Sequence, residues 1–163
     1  MPAVIDRRDG IGMDIQLKRV IALVGHAHAG KTSLAESLLF FSGSITRKGE
    51  VMRGNTVSDF QDDEIERQIS ISASFLKLNF SGYQVQIIDT PGYLDFIGET
   101  AAALRVVDAA VVIVDAVNGV EVGTEDAWSR LEELKMPRLI FINKSDKSDA
   151  NISGTVKAIQ DQL

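Results

Sequence analysis

Eight residues, Gly25-His26-Ala27-His28-Ala29-Gly30-Lys31-Thr32, follow the apolar run Val20-Ile21-Ala22-Leu23-Val24 and open a segment with Leu34, Leu38 and Phe41 at helical spacing. The pattern G-x-x-x-x-G-K-[ST] between a strand and a helix suits the wrapping of a phosphate. Its glycines allow a tight turn, and N–H groups at the helix start donate to phosphate oxygens. The nucleotide-binding residues expected here are His26, Ala27, His28, Ala29, Gly30, Lys31, Thr32 and Ser33. Lys31 is expected to reach the β and γ phosphates, and the Thr32 hydroxyl to ligate Mg²⁺.

Two further patterns follow in order. Asp89-Thr90-Pro91-Gly92 closes an apolar strand. A carboxylate there can hold Mg²⁺ through water, and the Gly92 N–H can meet a γ-phosphate. Taken alone it is an ordinary strand-end turn, which Pro-Gly favours. Asn143-Lys144-Ser145-Asp146 follows another apolar strand. The Asp146 carboxylate can accept from guanine N1–H and N2–H₂ together, whereas adenine would face it with a lone pair. The three patterns in this order point to GTP or GDP, with Mg²⁺, rather than to an ATP-using kinase or ATPase.

The elements that must carry these loops are legible in outline. Short apolar runs at 20–24, 109–114 and 139–142 read as strands buried on both faces. Segments 31–41, 121–135 and 149–163 read as helices. Residues 75–80 and 83–88, joined by Ser81-Gly82, read as an antiparallel hairpin. The fold class expected is α/β: a three-layer Ras-like P-loop domain with a mostly parallel sheet and one antiparallel edge hairpin. Residues 1–17 read as a loose leader and 18–163 as a GTP-binding domain. The long connection 43–72 reads as a functional or mobile loop, with Asp62-Asp63-Glu64 as a solvated face.

Composition narrows the function classes. The chain has 163 residues, a net charge of −6 and no cysteine. It therefore has no disulfide framework, thiol nucleophile or sulfur-bound zinc. An acidic domain is a poor binder of free DNA. No apolar run is long enough for a membrane span, and no secretory signal opens the chain. A cytoplasmic protein is expected. His26 and His28 lack the further ligands of a zinc site, and Trp128 reads as helix packing.

Residues 18 to about 148 resemble the G domain of elongation factor G, a translational GTPase. The carrying segments are GHAHAGKTSLAESLLFFSGSITRKGEV, DFQDDEIERQISIS, DTPGYLDF and the run from Leu104 to Asp146. The variants resemble the elongation factor G-like paralogues more than the main translocase. The resemblance implies a GTP-dependent switch at the ribosome, with the remaining domains of a longer protein as further partners. A domain of this type needs another strand and a last guanine-side loop after the helix near Asp149, so the chain is expected to be a fragment. Ser70 stands where the family has its Mg²⁺-binding Thr, giving Thr32, Ser70 and Asp89 as metal residues.

Three other departures bear on catalysis. Gln68 replaces a glycine in the switch, removing backbone freedom. His28 replaces an Asp in the phosphate loop. Tyr93 replaces the His that positions the attacking water; a phenol lacks the imidazole's acceptor and charge. With Lys31, Gly92 and Tyr93 as the catalytic set, GTP binding is expected to persist and intrinsic hydrolysis to be weak. The rival is a GTP/GDP-holding module with no useful hydrolysis. Arg67 is open between a phosphate contact and helix-surface pairing.

Overall fold

The computed structural model describes residues 17–163, so the leader expected over 1–17 lies outside it apart from Leu17. Five strands, β1 (Lys18–Val24), β2 (Ser74–Phe80), β3 (Tyr83–Asp89), β4 (Ala109–Asp115) and β5 (Arg138–Asn143), form one sheet in the order β2-β3-β1-β4-β5. The helices are α1 (Lys31–Phe41), α2 (Asp62–Arg67), α3 (Ile97–Ala103), α4 (Val122–Glu133) and α5 (Ile152–Gln162). β1 runs parallel to β3 and β4, and β4 to β5. β2 alone is antiparallel, pairing with β3 from Ser74↔Asp89 to Phe80↔Tyr83. This is the mostly parallel sheet with one edge hairpin that the sequence implies.

The apolar runs make three layers because successive side chains point to opposite faces of a strand. Ala22 and Val24 of β1 join Val112 and Val114 of β4 in one core, closed by Ala127 and Leu131 of α4. Leu23 and Ile113 face the other way and pack with Ala35 and Leu39 of α1 and Ile87 of β3. A run that is apolar at every position thus feeds two cores. Trp128 packs at the first core, with the Arg138 guanidinium 4.0 Å from its ring centroid. Because β1, β3, β4 and β5 are parallel, their carboxyl ends meet at one rim, where ligands of such sheets bind.

Segment 43–72 has more structure than a long open loop. It contains a 3-10 turn at Val51–Arg53 and the helix α2. Two buried carboxylates pin it. Glu36 of α1 accepts from the Gly49 N–H at 2.7 Å and the Val57 N–H at 2.5 Å. Glu64 accepts from the N–H groups of Ile71 at 2.9 Å and Ser72 at 3.1 Å. Glu64 is therefore not part of a solvated face: its relative exposure is 1%, and only Asp62 and Asp63 lie in solvent. Backbone donors from another turn replace the water that an acid would otherwise require.

Candidate nucleotide site

The loop between β1 and α1 is shaped by its own lysine. Lys31 Nζ donates to the Gly25 carbonyl at 3.1 Å and the His26 carbonyl at 2.8 Å. Burial lowers the Lys31 pKa to about 8, although the Asp89 and Asp59 charges pull it upward. Gly30 (φ 98°) and Gly92 are where side chains would not fit. A Cβ at Gly30 would collide with the Asn143 amide, and one at Gly92 with the Lys31 ammonium and the backbone of Ala27. Gly92 thus lies directly against the phosphate loop.

The three expected metal residues converge. Thr32 Oγ1 donates to Asp89 Oδ2 at 2.7 Å and sits 3.2 Å from Ser70 Oγ. Asp89 Oδ1 is buried without a hydrogen-bond partner. Burial raises the Asp89 carboxyl to about 6, against the Thr32 hydrogen bond and the Lys31 charge. Hard oxygen donors with an unsatisfied buried carboxylate oxygen suit Mg²⁺, which prefers one or two carboxylates with other oxygens. Among the described residues no three His, Cys, Asp or Glu side chains form a metal cage, so any such site is a mixed hydroxyl and carboxylate one. When bound, the ion would neutralise phosphate charge.

A cavity of about 610 Å³ opens over this cluster. Lys31, Thr32 and Ser33 line its floor; Val51, Met52 and the Arg67–Ser70 turn close one side, and Gly92 and Tyr93 another. Gln68 holds φ 57°, a left-handed conformation that a glycine would adopt without strain. The sequence reading missed Asp59. It lines the cavity at 4% exposure, and neither carboxylate oxygen has a hydrogen-bond partner. Burial raises its pKa. Its only sequence signal is an acid inside the long connection.

The 143–146 turn is tied to the phosphate loop. Asn143 Nδ2 donates to the Ala29 carbonyl at 2.9 Å. Lys144 Nζ pairs at 2.6 Å with Asp115 Oδ2, at the end of β4. Burial pushes the Asp115 carboxyl up, but the Lys144 hydrogen bond and charge and the Val117 N–H hold it below the usual range. No motif marks Asp115 in the sequence. Lys144 also lines the cavity, whereas Asp146 is exposed just beyond it. His26 is used inside the protein: its Nδ1 accepts from the Gly123 N–H at 3.1 Å, and its Nε2 lies 3.5 Å from Glu121. His28 Nε2 lies 2.7 Å from the Tyr93 hydroxyl.

The chain resembles known proteins along most of its length. It is 42% identical over 145 residues to the mitochondrial ribosome-releasing factor 2 of Meyerozyma guilliermondii, covering 89% of this chain and 17% of that protein. The Drosophila melanogaster protein of the same name is 41% identical, with 89% and 20% covered. A crystal structure of a protein from Thermus thermophilus superposes with a TM-score of 0.85 at 39% identity, covering 88% of this chain and 22% of that one. The chain thus spans about a fifth of the length of these relatives. The cytoplasmic expectation is overturned: these curated relatives are named mitochondrial. Lack of a secretory signal does not separate cytosol from an organelle. No described helix is long and apolar enough to cross a membrane. Residues 16–163 match the family described as the elongation factor Tu GTP binding domain, and the chain belongs to that family.

Proposed function

We propose that residues 18–163 are the GTP-binding domain of a translation factor of the elongation factor G-like kind, switched at the ribosome by GTP and Mg²⁺. The observation that carries this reading is the convergence of Thr32, Ser70 and Asp89 beside the Lys31 loop. One hydroxyl comes from α1, one from the 43–72 segment and one carboxylate from β3, so a single ion there would report on all three. Lys31 and Gly92 serve the γ-phosphate, and the N–H groups of His26 through Ser33 hold the phosphates. Asn143 and Lys144 brace the base side, and Asp146 reads guanine. The ribosome enters through the relatives, which are named ribosome-releasing factors.

In the hydrolysis proposed here, a water oxygen bonds to the γ-phosphorus and the bond to the bridging oxygen breaks. The electron pair leaves with GDP, and the water's proton ends on the released phosphate. Tyr93, in place of an imidazole, supports slow intrinsic turnover. A titration with GDP, GTP and ADP tests the nucleotide reading: tight GDP and weak ADP are expected, and tight ADP binding overturns it. Single-turnover hydrolysis tests the rate. A Tyr93→His variant that is faster than the native chain supports slow turnover, and equal rates refute it. Tyr93 also favours a second reading, a GTP/GDP-holding module, which an undetectable rate with and without ribosomes would establish.

A further inference from the structure

The two departures at the phosphate site, His28 and Tyr93, meet in space although 65 residues separate them. Their rings stand edge to face at 88°, with centroids 5.6 Å apart. Both line the cavity beside Lys31 and Gly92. His28 holds φ 59°, a left-handed conformation uncommon outside glycine. Strain of this kind persists where surrounding structure imposes it, and it clusters at functional sites.

We propose that His28 and Tyr93 act as one water-positioning unit, with His28 Nε2 accepting the phenol proton and the Tyr93 oxygen left to accept from the attacking water. This rests on the GTPase reading above. A phenol alone is a free rotor that can turn its O–H toward any acceptor, phosphate oxygens included. A proton engaged by His28 stops that rotation and leaves only lone pairs for the water. The water then donates one O–H to Tyr93 and keeps a lone pair for phosphorus. Neither ring gains or loses a proton; the water's proton still ends on the released phosphate. The pair thus gives the water an acceptor at position 93 without the charge an imidazole can carry, so turnover stays slower than with His there. His28 is a positioning residue that acts through Tyr93.

The test is a double-mutant cycle on the native chain loaded with GTP, read by single-turnover hydrolysis and by separately measured GDP and GTP affinities. Tyr93→Phe removes the hydroxyl. His28→Asn removes Nε2 but retains a residue at home in the left-handed region. Each change is expected to slow hydrolysis on the order of tenfold, the scale of one lost hydrogen bond, with affinities within about twofold of native. The double variant is expected to be no slower than the slower single one. His28→Gln, whose longer side chain carries a carbonyl acceptor out to the reach of Nε2 where that of Asn falls short, is expected to recover part of the rate. Additive losses, or a native rate no higher than that of Tyr93→Phe, overturn the proposal. A second readout avoids turnover. Only two histidines occur in the chain, so ¹⁵N resonances resolve His28, and its Nε2 shift is expected to move in Tyr93→Phe without nucleotide. An unmoved shift overturns the pair. Failure to bind GDP or GTP refutes the nucleotide reading instead.

Discussion

Replacing Asp89 by Asn is expected to make the nucleotide-free domain more stable. The Asp89 side chain is 1% exposed, and its carboxyl sits at about 6 against an ordinary 3.8. The folded protein therefore binds this proton more tightly than the unfolded chain does. Stability from this group is complete below the unfolded pKa and falls as pH rises through 4 to 6. Two pKa units correspond to about 3 kcal/mol, so ionised Asp89 costs the folded state up to about that much at pH 7. Asn has no charge to bury, and its side-chain oxygen can still accept from Thr32 Oγ1. That cost of ionisation already contains the Asp59 repulsion and, against it, the Lys31 attraction. The assay is urea unfolding of native and Asp89→Asn proteins in EDTA without nucleotide, at pH 7 and pH 4. The variant is expected to gain about 1–3 kcal/mol at pH 7 and much less at pH 4. In differential melting this is about 2–12 °C at pH 7. Adding Mg²⁺ and GDP is expected to stabilise the native protein more than the variant. A variant less stable than native at pH 7, or an advantage independent of pH, refutes the reasoning.

Three other outcomes are expected. Asn143→Ala removes the bond to the Ala29 carbonyl and should weaken GDP binding about tenfold by titration calorimetry, with a fall of only about 2–4 °C in melting temperature. Asp146→Asn turns an acceptor toward guanine into a partial donor and should weaken GDP at least about 100-fold while leaving ADP binding unchanged, as read by competition. Glu64→Ala leaves the Ile71 and Ser72 N–H groups without their acceptor and should cost about 2–4 kcal/mol in urea unfolding.

Strands β1 and β4 were legible because a strand buried on both faces is apolar at every position. β5 has such a run too but is an edge strand, and the expectation that it is buried on both faces fails, with Leu139 63% and Phe141 37% exposed. The hairpin was legible from Ser81-Gly82, both of which have positive φ. Helix α3 was not. Its residues, Ile97 to Ala103, include three alanines and a glycine and show no apolar stripe. Packing of Thr100 and Ala103 against the fold defines it, not propensity. Glu64 misled for a related reason: its sequence neighbours are acids, while its partners are backbone N–H groups seven and eight residues on. Asp59 carried no motif at all. His28 and Tyr93 each read as a loss when taken singly, since a linear pattern does not report that two changes touch.

Lys31 has three N–H donors and the loop carbonyls engage two of them. The ammonium can therefore take hold of an arriving phosphate without releasing the loop it already spans. The loop thus carries an internal tie of its own, from Lys31 to the Gly25 and His26 carbonyls. Nucleotide arrival should then follow one exponential whose rate rises linearly with concentration, without the plateau that a slow rearrangement imposes. Differences in nucleotide affinity would be written chiefly in the departure rate.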